Sequence, residues 1–351
     1  MPESTSYHKQ EDLKNTKKLR EMTADLPPYV RDFFRGIEPQ TSSRTRIAYA
    51  YDLRVFFTYL HENNSEFGKK EVKDITLHEL ESLQPVDIEE YLDYVKVYSS
   101  RNGQENSNGL TAIKRKLASL RTFYKYFYMR EAITYNPVEL VAMPKLHEKN
   151  IIRLDADEVA ELLDHVESGQ QLTKQQMAFH EKTKVRDLAL MTLLLGTGIR
   201  VSECVGLNLN DVDFKNSGIS IYRKGGKESV VYFGEEVEEA LRAYMEERKK
   251  IQAADGHENA LFLSSQRKRI NVRSVENLVK KYTRTVTTSK NITPHKLRST
   301  YGTSLYRETG DIYLVADVLG HSDVNTTRRH YAALEDEKRR SARNKVHLRK
   351  D

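Results

Sequence analysis

The chain has 351 residues, 38% hydrophobic and 31% charged, a length too great for one ordinary core, so two domains are expected. No apolar run approaches the ~20 residues of a membrane-spanning helix, and the N-terminus has no apolar h-region, so neither a span nor a secretory signal is read. The net charge of +6 at pH 7 suits a polyanion partner without selecting one, and the single cysteine, Cys204, excludes an intramolecular disulfide and points to a reducing cytoplasm.

Residues 1–24 are polar and lysine-rich; EDLKNTKKLREM can form a short helix but has little to bury, so a flexible lead-in is expected. From 25 to 145 the pattern is helical. PYVRDFFRGI, SRTRIAYAYDLRVFFTYLHEN, DIEEYLDYVKVYSS and LTAIKRKLASLRTFYKYFYMREAI place apolar and aromatic residues at three- and four-residue steps, which predicts an all-α bundle of four or five helices. In the last of these, Ile113, Leu117, Leu120, Tyr124 and Phe127 form the buried spine. Lys114, Arg121 and Lys125 line its flank with Arg115 behind; such a flank fits a nucleic-acid groove, and a solvated helix face reads equally well. Pro137 and Pro144 bracket the exit, and a linker is expected near 144–152.

The second half, 150–351, opens with LDADEVAELLDHVE, a helix with Asp155 as N-cap. KVRDLALMTLLLGTGIR is a more deeply buried helix that stops at Gly196-Thr197-Gly198. GISIYRKGGKESVVYF alternates as two strands around Gly225-Gly226. Helices follow at 234–251, 272–286, 294–308, 311–319 and 324–334. The fold class is mainly α: a helical bundle, then a mixed α/β, mostly helical domain with a small antiparallel sheet.

Titratable and cationic residues recur in this half in a telling order. Arg200 follows the glycine turn and precedes VSECVGL, with Ser202 as a candidate N-cap and Glu203 in the first turn, so a guanidinium there can meet a phosphate while Glu203 steadies it. An ordinary Arg–Glu pair at a helix start explains the fragment as well. Lys224 ends the first strand of the hairpin, where an ammonium can protonate a departing oxygen, with Lys227 as rival. In TPHKLR, Thr293 caps and Pro294 takes the first helical position, which puts His295 and Arg298 one turn apart on one face near the positive end of the helix. LGHSDVNTTRRHY ends a helix at Leu319-Gly320, projects His321 from the turn and starts the helix that carries Tyr331. Each fragment alone is weak; together they suit phosphoryl transfer to a phenol, with side-chain cations offsetting the phosphate charge.

GTGIRVSE, RKGGKE, TPHKLRSTYGT and LGHSDVNTTRRHYA resemble the successive signature boxes of the tyrosine recombinase (phage-integrase-like) family across 150–335. The N-terminal helical half is similar to that family's core-binding domain by pattern and position. The resemblance implies a DNA-cutting and rejoining enzyme that works through a 3′-phosphotyrosine, with no metal or other cofactor. It implies that Arg200 and Arg298 clamp the scissile phosphate, Lys224 protonates the leaving 5′-oxygen, His295 assists proton transfer with the tyrosine, His321 supports a phosphate oxygen, Glu203 steadies Arg200 and Tyr331 attacks.

Departures stand beside it. Tyr331 follows His321 by one residue more than in the commonest form, His330 precedes it, and Ser299 stands where a histidine often follows the arginine. Tyr301 and Tyr306 are alternative nucleophiles better read as packing, and Cys204 has no local histidine partner for thiol chemistry. The resemblance further implies double-stranded DNA at a specific site, a dimer per site and a homo-tetramer around a four-way junction, with a DNA translocase as candidate regulator. The two-domain length and LPPYVRDFF resemble the Xer recombinases that resolve chromosome dimers; an integrase of a mobile element and a non-catalytic DNA-binding protein are the alternatives. EDEKRRSARNKVHLRK reads as a tail that docks on a neighbouring protomer or as a solvated end.

Overall fold

The structure, a computed structural model, describes residues 7–99, 103, 105–145, 152–223, 227–321 and 323–324. The chain divides into two compact units, Met1–Lys149 and Asn150–Asp351. Among the described residues no helix is long and apolar enough to cross a membrane.

The first unit begins with α1 (Tyr7–Met22), α2 (Pro28–Ile37) and α3 (Ser43–Asn63), continues through the short α4 (Leu77–Ser82) and α5 (Pro85–Tyr94), and ends with α6 (Leu110–Tyr128). Where a flexible lead-in was expected, α1 is an ordered helix lying on α3. Its few apolar side chains suffice because polar ones join in: Met22 is buried, Asn15 Nδ2 donates to Ser43 Oγ at 3.0 Å, and Ser43 Oγ donates to Asp12 Oδ1 at 2.6 Å. The expected helix through YVKVYSS stops at Tyr94. Val97–Ser99 (β1) instead pairs antiparallel with Glu105–Ser107 (β2), as the β-branched and aromatic Val97 and Tyr98 favour.

The core of this unit is aromatic. Phe33 and Phe123 meet edge-on at 5.1 Å, as do Phe56 and Tyr91, in the geometry that ring quadrupoles prefer. The spine of α6 is buried at all its expected positions. Its basic flank is only partly open: Arg121 donates to the Val141 carbonyl at 2.5 Å, while Lys125 is exposed. Behind it, the fully buried carboxylate of Asp52 accepts from Arg115, and from Lys116 at 3.3 Å. Burial pushes the Asp52 carboxyl up and the Lys116 ammonium down, and each charge offsets the other.

The second unit contains α7 (Ala156–Ser168), α8 (Lys174–His180), α9 (Lys184–Thr197) and α10 (Val201–Gly206), then β3 (Val212–Asp213), β4 (Gly218–Tyr222) and β5 (Glu228–Tyr232). It continues with α11 (Glu235–Lys249), α12 (Val272–Val286), α13 (Pro294–Thr309) and α14 (Ile312–Leu319). Asp155 takes the N-cap of α7, its N–H donating to Glu158 at 2.8 Å. Helix α9 is the centre, with Ala189, Leu190, Met191, Leu193 and Leu194 buried and α7, α11 and α13 packed around it. The strands form an antiparallel sheet in the order β3-β4-β5. The two-residue β3, which pairs Val212 with Ile219, was not expected.

Candidate active site

Two glycine-terminated helices set the geometry. Helix α9 ends on Gly198 at φ +61°, and α14 ends on Gly320 at φ +62°, a left-handed conformation that costs a side-chain-bearing residue ~1–2 kcal/mol. At the second end the Gly320 N–H donates to Asp317 O at 2.8 Å and the His321 N–H to Ala316 O at 2.9 Å. This paired reverse bonding fixes His321 as the first residue beyond the turn. His321 is half-buried there.

Arg200 lies two residues beyond the first glycine and takes the N-cap position of α10. Ser202, the expected cap, is inside the first turn instead. The reason is Glu203: its Oε2 accepts the backbone N–H of Arg200 at 2.7 Å and its Oε1 accepts Arg200 Nη1 at 2.8 Å, so one buried carboxylate closes the turn and holds the guanidinium. Arg200 Nη2 reaches Gly320 O at 3.3 Å, and 37% of its side chain is open to solvent.

Arg298 joins the two glycine turns. Its Nη1 donates to Gly198 O at 2.6 Å and its Nη2 to Leu319 O, and the residue is 5% exposed. Helix α13 aims it there. Pro294 holds the first helical position, and Thr293 sits at the N-cap, although its hydroxyl makes no capping hydrogen bond, contrary to expectation. His295 is exposed on the first turn, one turn ahead of Arg298, and Ser299 Oγ bonds back to the His295 carbonyl at 3.1 Å.

Arg200, Glu203, Arg298 and the His321 turn thus form one hydrogen-bonded assembly, with His295 on the adjoining helix end. Lys224 and Tyr331, the proposed acid and nucleophile, lie outside the described residues, as do all but the first residue of the helix expected at 324–334 and the charged segment beyond it. The alternatives to Tyr331 fare poorly by geometry. Tyr306 is buried, and Tyr301 packs beneath Gly198 with its phenol pushed up by burial. Cys204 is fully buried and its thiol is pushed up to about 12 by burial, with Glu203 adding to the effect, so almost no thiolate exists at neutral pH. Among the described residues no group of three or more His, Cys, Asp or Glu is placed to hold a metal ion.

Arg223 is a participant that sequence reasoning missed. From the end of β4 its Nη1 and Nη2 donate to Asp317 O at 3.1 Å and Val318 O at 2.8 Å. Beside Lys224 it reads as one more charge in a basic turn; only the packing of α14 reveals its contact.

Comparison with known proteins identifies the family. The profile of the phage integrase family matches residues 152–338. The chain is 34% identical to the tyrosine recombinase XerC of Caldanaerobacter subterraneus subsp. tengcongensis, over 91% of this chain and 86% of that protein. It is 32% identical to the tyrosine recombinase XerS of Streptococcus uberis, over 92% of this chain and 96% of that protein. Among solved structures, a post-cleavage complex of the XerH site-specific recombinase with a palindromic difH substrate has a TM-score of 0.63 at 19% identity, covering 86% of this chain and 80% of XerH. A lambda integrase dimer bound to a COC′ core site has a TM-score of 0.58 at 16% identity, covering 85% of this chain and 95% of that one, and both likenesses speak for the fold. The protein belongs to the phage integrase family of tyrosine recombinases.

Proposed function

We propose that the chain is a site-specific DNA recombinase of the Xer type, whose curated relatives XerC and XerS align with it over nine-tenths of its length. Tyr331 Oη attacks the scissile phosphorus, a P–O bond forms to the phenol, and the P–O5′ bond breaks, leaving a 3′-phosphotyrosine and a 5′-hydroxyl. The phenol proton passes to His295, and Lys224 supplies the proton taken by the 5′-oxygen. Arg200, Arg298 and His321 offset the charge that builds on the phosphorane. The second strand's 5′-hydroxyl reverses the step, so the phosphodiester is restored without a nucleotide cofactor. Because tyrosine's unperturbed pKa is about 10, the cations also favour phenolate character as attack begins.

One observation carries this reading: Arg298 bridges the carbonyls of Gly198 and Leu319, so the turns that present Arg200 and His321 are fixed with respect to each other. Pre-set donors facing a common point are what a phosphorane needs. Strand exchange between two duplexes calls for a dimer on each site and a tetramer around the junction. Resolution of chromosome dimers in the cytoplasm, timed by a DNA translocase, is the role that accords with the Xer relatives.

The test is a nicked suicide substrate carrying the cognate site. Wild type is expected to form a covalent adduct that Tyr331→Phe abolishes while noncovalent DNA binding survives. Absence of the adduct with wild type at saturating protein, on a site it demonstrably binds, means a DNA-binding protein without catalysis.

A further inference from the structure

Arg223 directly follows β4, and its N–H donates to Lys227 O at 2.8 Å. Its side chain leaves the sheet and grips the end of α14 through Asp317 O and Val318 O. The guanidinium lies over Gly320 so closely that a Cβ there would stand 1.6 Å from Nη1. A planar fork spans two successive carbonyls in a fixed geometry that a lysine's rotatable ammonium lacks, and the negative end of the helix strengthens both bonds. Stability alone accounts poorly for this arginine, because its Nε is buried with no partner among the described residues, a cost that a shorter apolar side chain avoids.

We propose that Arg223 is a positioning residue: it ties the end of β4 to the helix end that presents His321, so that the next residue, Lys224, starts from a fixed point beside the phosphate site. The inference rests on the reading of Lys224 as the proton donor to the leaving oxygen. A general acid works only within hydrogen-bond reach of its target. The guanidinium clamp fixes the chain at the residue immediately before Lys224.

The experiment uses the full chain on two suicide substrates, one with the ordinary bridging 5′-oxygen and one with sulfur in its place, under single-turnover conditions at saturating protein. With sulfur the P–S bond breaks and a thiolate departs, which needs no proton because a thiol's pKa is about 8.5 against roughly 16 for water. Arg223→Ala is expected to cleave the oxygen substrate about 10- to 100-fold more slowly than wild type. On the sulfur substrate it should return to within about threefold, as Lys224→Ala should too. Arg223→Lys, which keeps the charge without the fork, should resemble Arg223→Ala. A purely structural role slows both substrates alike. If Lys224→Ala recovers with sulfur and Arg223→Ala does not, or if Arg223→Ala cleaves the oxygen substrate at the wild-type rate, the positioning role is wrong. If Lys224→Ala fails to recover, the acid assignment is wrong and this inference falls with it.

Discussion

In the first unit, Arg115 and Lys116 meet the carboxylate of Asp52 and Arg46 meets that of Glu38. In the second, Arg223, Arg298 and Arg200 meet the main-chain carbonyls of residues 317 to 320, and Glu203 engages Arg200. A carboxylate cancels the charge of the cation it holds, whereas a carbonyl orients a guanidinium and leaves its charge standing. The helical unit therefore uses its buried cations to close a core. In the second unit the buried carboxylate of Asp187 likewise holds Arg186 and Lys281, so the contrast is confined to the end of α14, where Arg223 and Arg298 are oriented by carbonyls.

The largest expected departure from wild type is Tyr331→Phe, with no adduct at all. Next, Arg298→Ala, which releases both glycine turns, should slow single-turnover cleavage by ~10²–10³-fold, the effect of losing one pre-set donor at a phosphorane. Equal DNA affinity with slow cleavage supports the contrast; a rate near wild type breaks it. Asp52→Asn should act in the opposite sense, with unfolding in urea showing a loss of about 3 kcal/mol because two cations lose their counter-charge, while the folded protein cleaves normally. A cleavage defect as deep as that of Arg298→Ala would erase the distinction between the units.

Gly320→Ala combines the left-handed strain of ~1–2 kcal/mol with displacement of Arg223, whereas Gly256, at φ +78° with nothing within 4 Å of a Cβ, faces the strain alone. Thermal unfolding of the two alanine variants should rank Gly320→Ala lower, and only that variant should also cleave slowly. The smallest effect concerns acid. Glu79 is depressed to about 2 by the hydrogen bond from Lys70, then by the Thr76 backbone. A depressed carboxyl contributes stability above its unfolded value of ~4.3 and loses it as pH falls from there toward 2. The site is about one-third exposed, so screening limits the effect to about 1 kcal/mol or less. Glu79→Gln should flatten that stretch of the stability–pH curve, and an unchanged curve removes the ion pair from the account.

What was readable in advance follows from how local the signal is. Helix α3 runs over the stretch its apolar spacing picked out, and α14 starts at Asp311, whose carboxylate accepts the N–H groups of Tyr313 and Leu314. The glycine turns and the residues beyond them were legible because Gly198 and Gly320 mark helix ends in the sequence itself. Arg223 was not, since its partners lie 94 and 95 residues away and are main-chain atoms that carry no residue identity. Helix α1 was misjudged because its anchorage is a polar relay through Asp12, Asn15 and Ser43, which an apolar periodicity cannot register. Val97 and Tyr98 were read as helix because the apolar spacing of DIEEYLDY continues into them; pairing with residues 105–107 decided otherwise.

The grip on α14 has an evolutionary corollary. The acceptors at 317, 318, 319 and 320 belong to the peptide backbone, so replacing the side chains at 317 to 319 leaves every one of them in place. Side chains along that helix end can therefore change without removing the seat of the three guanidiniums, provided the glycine after it is kept.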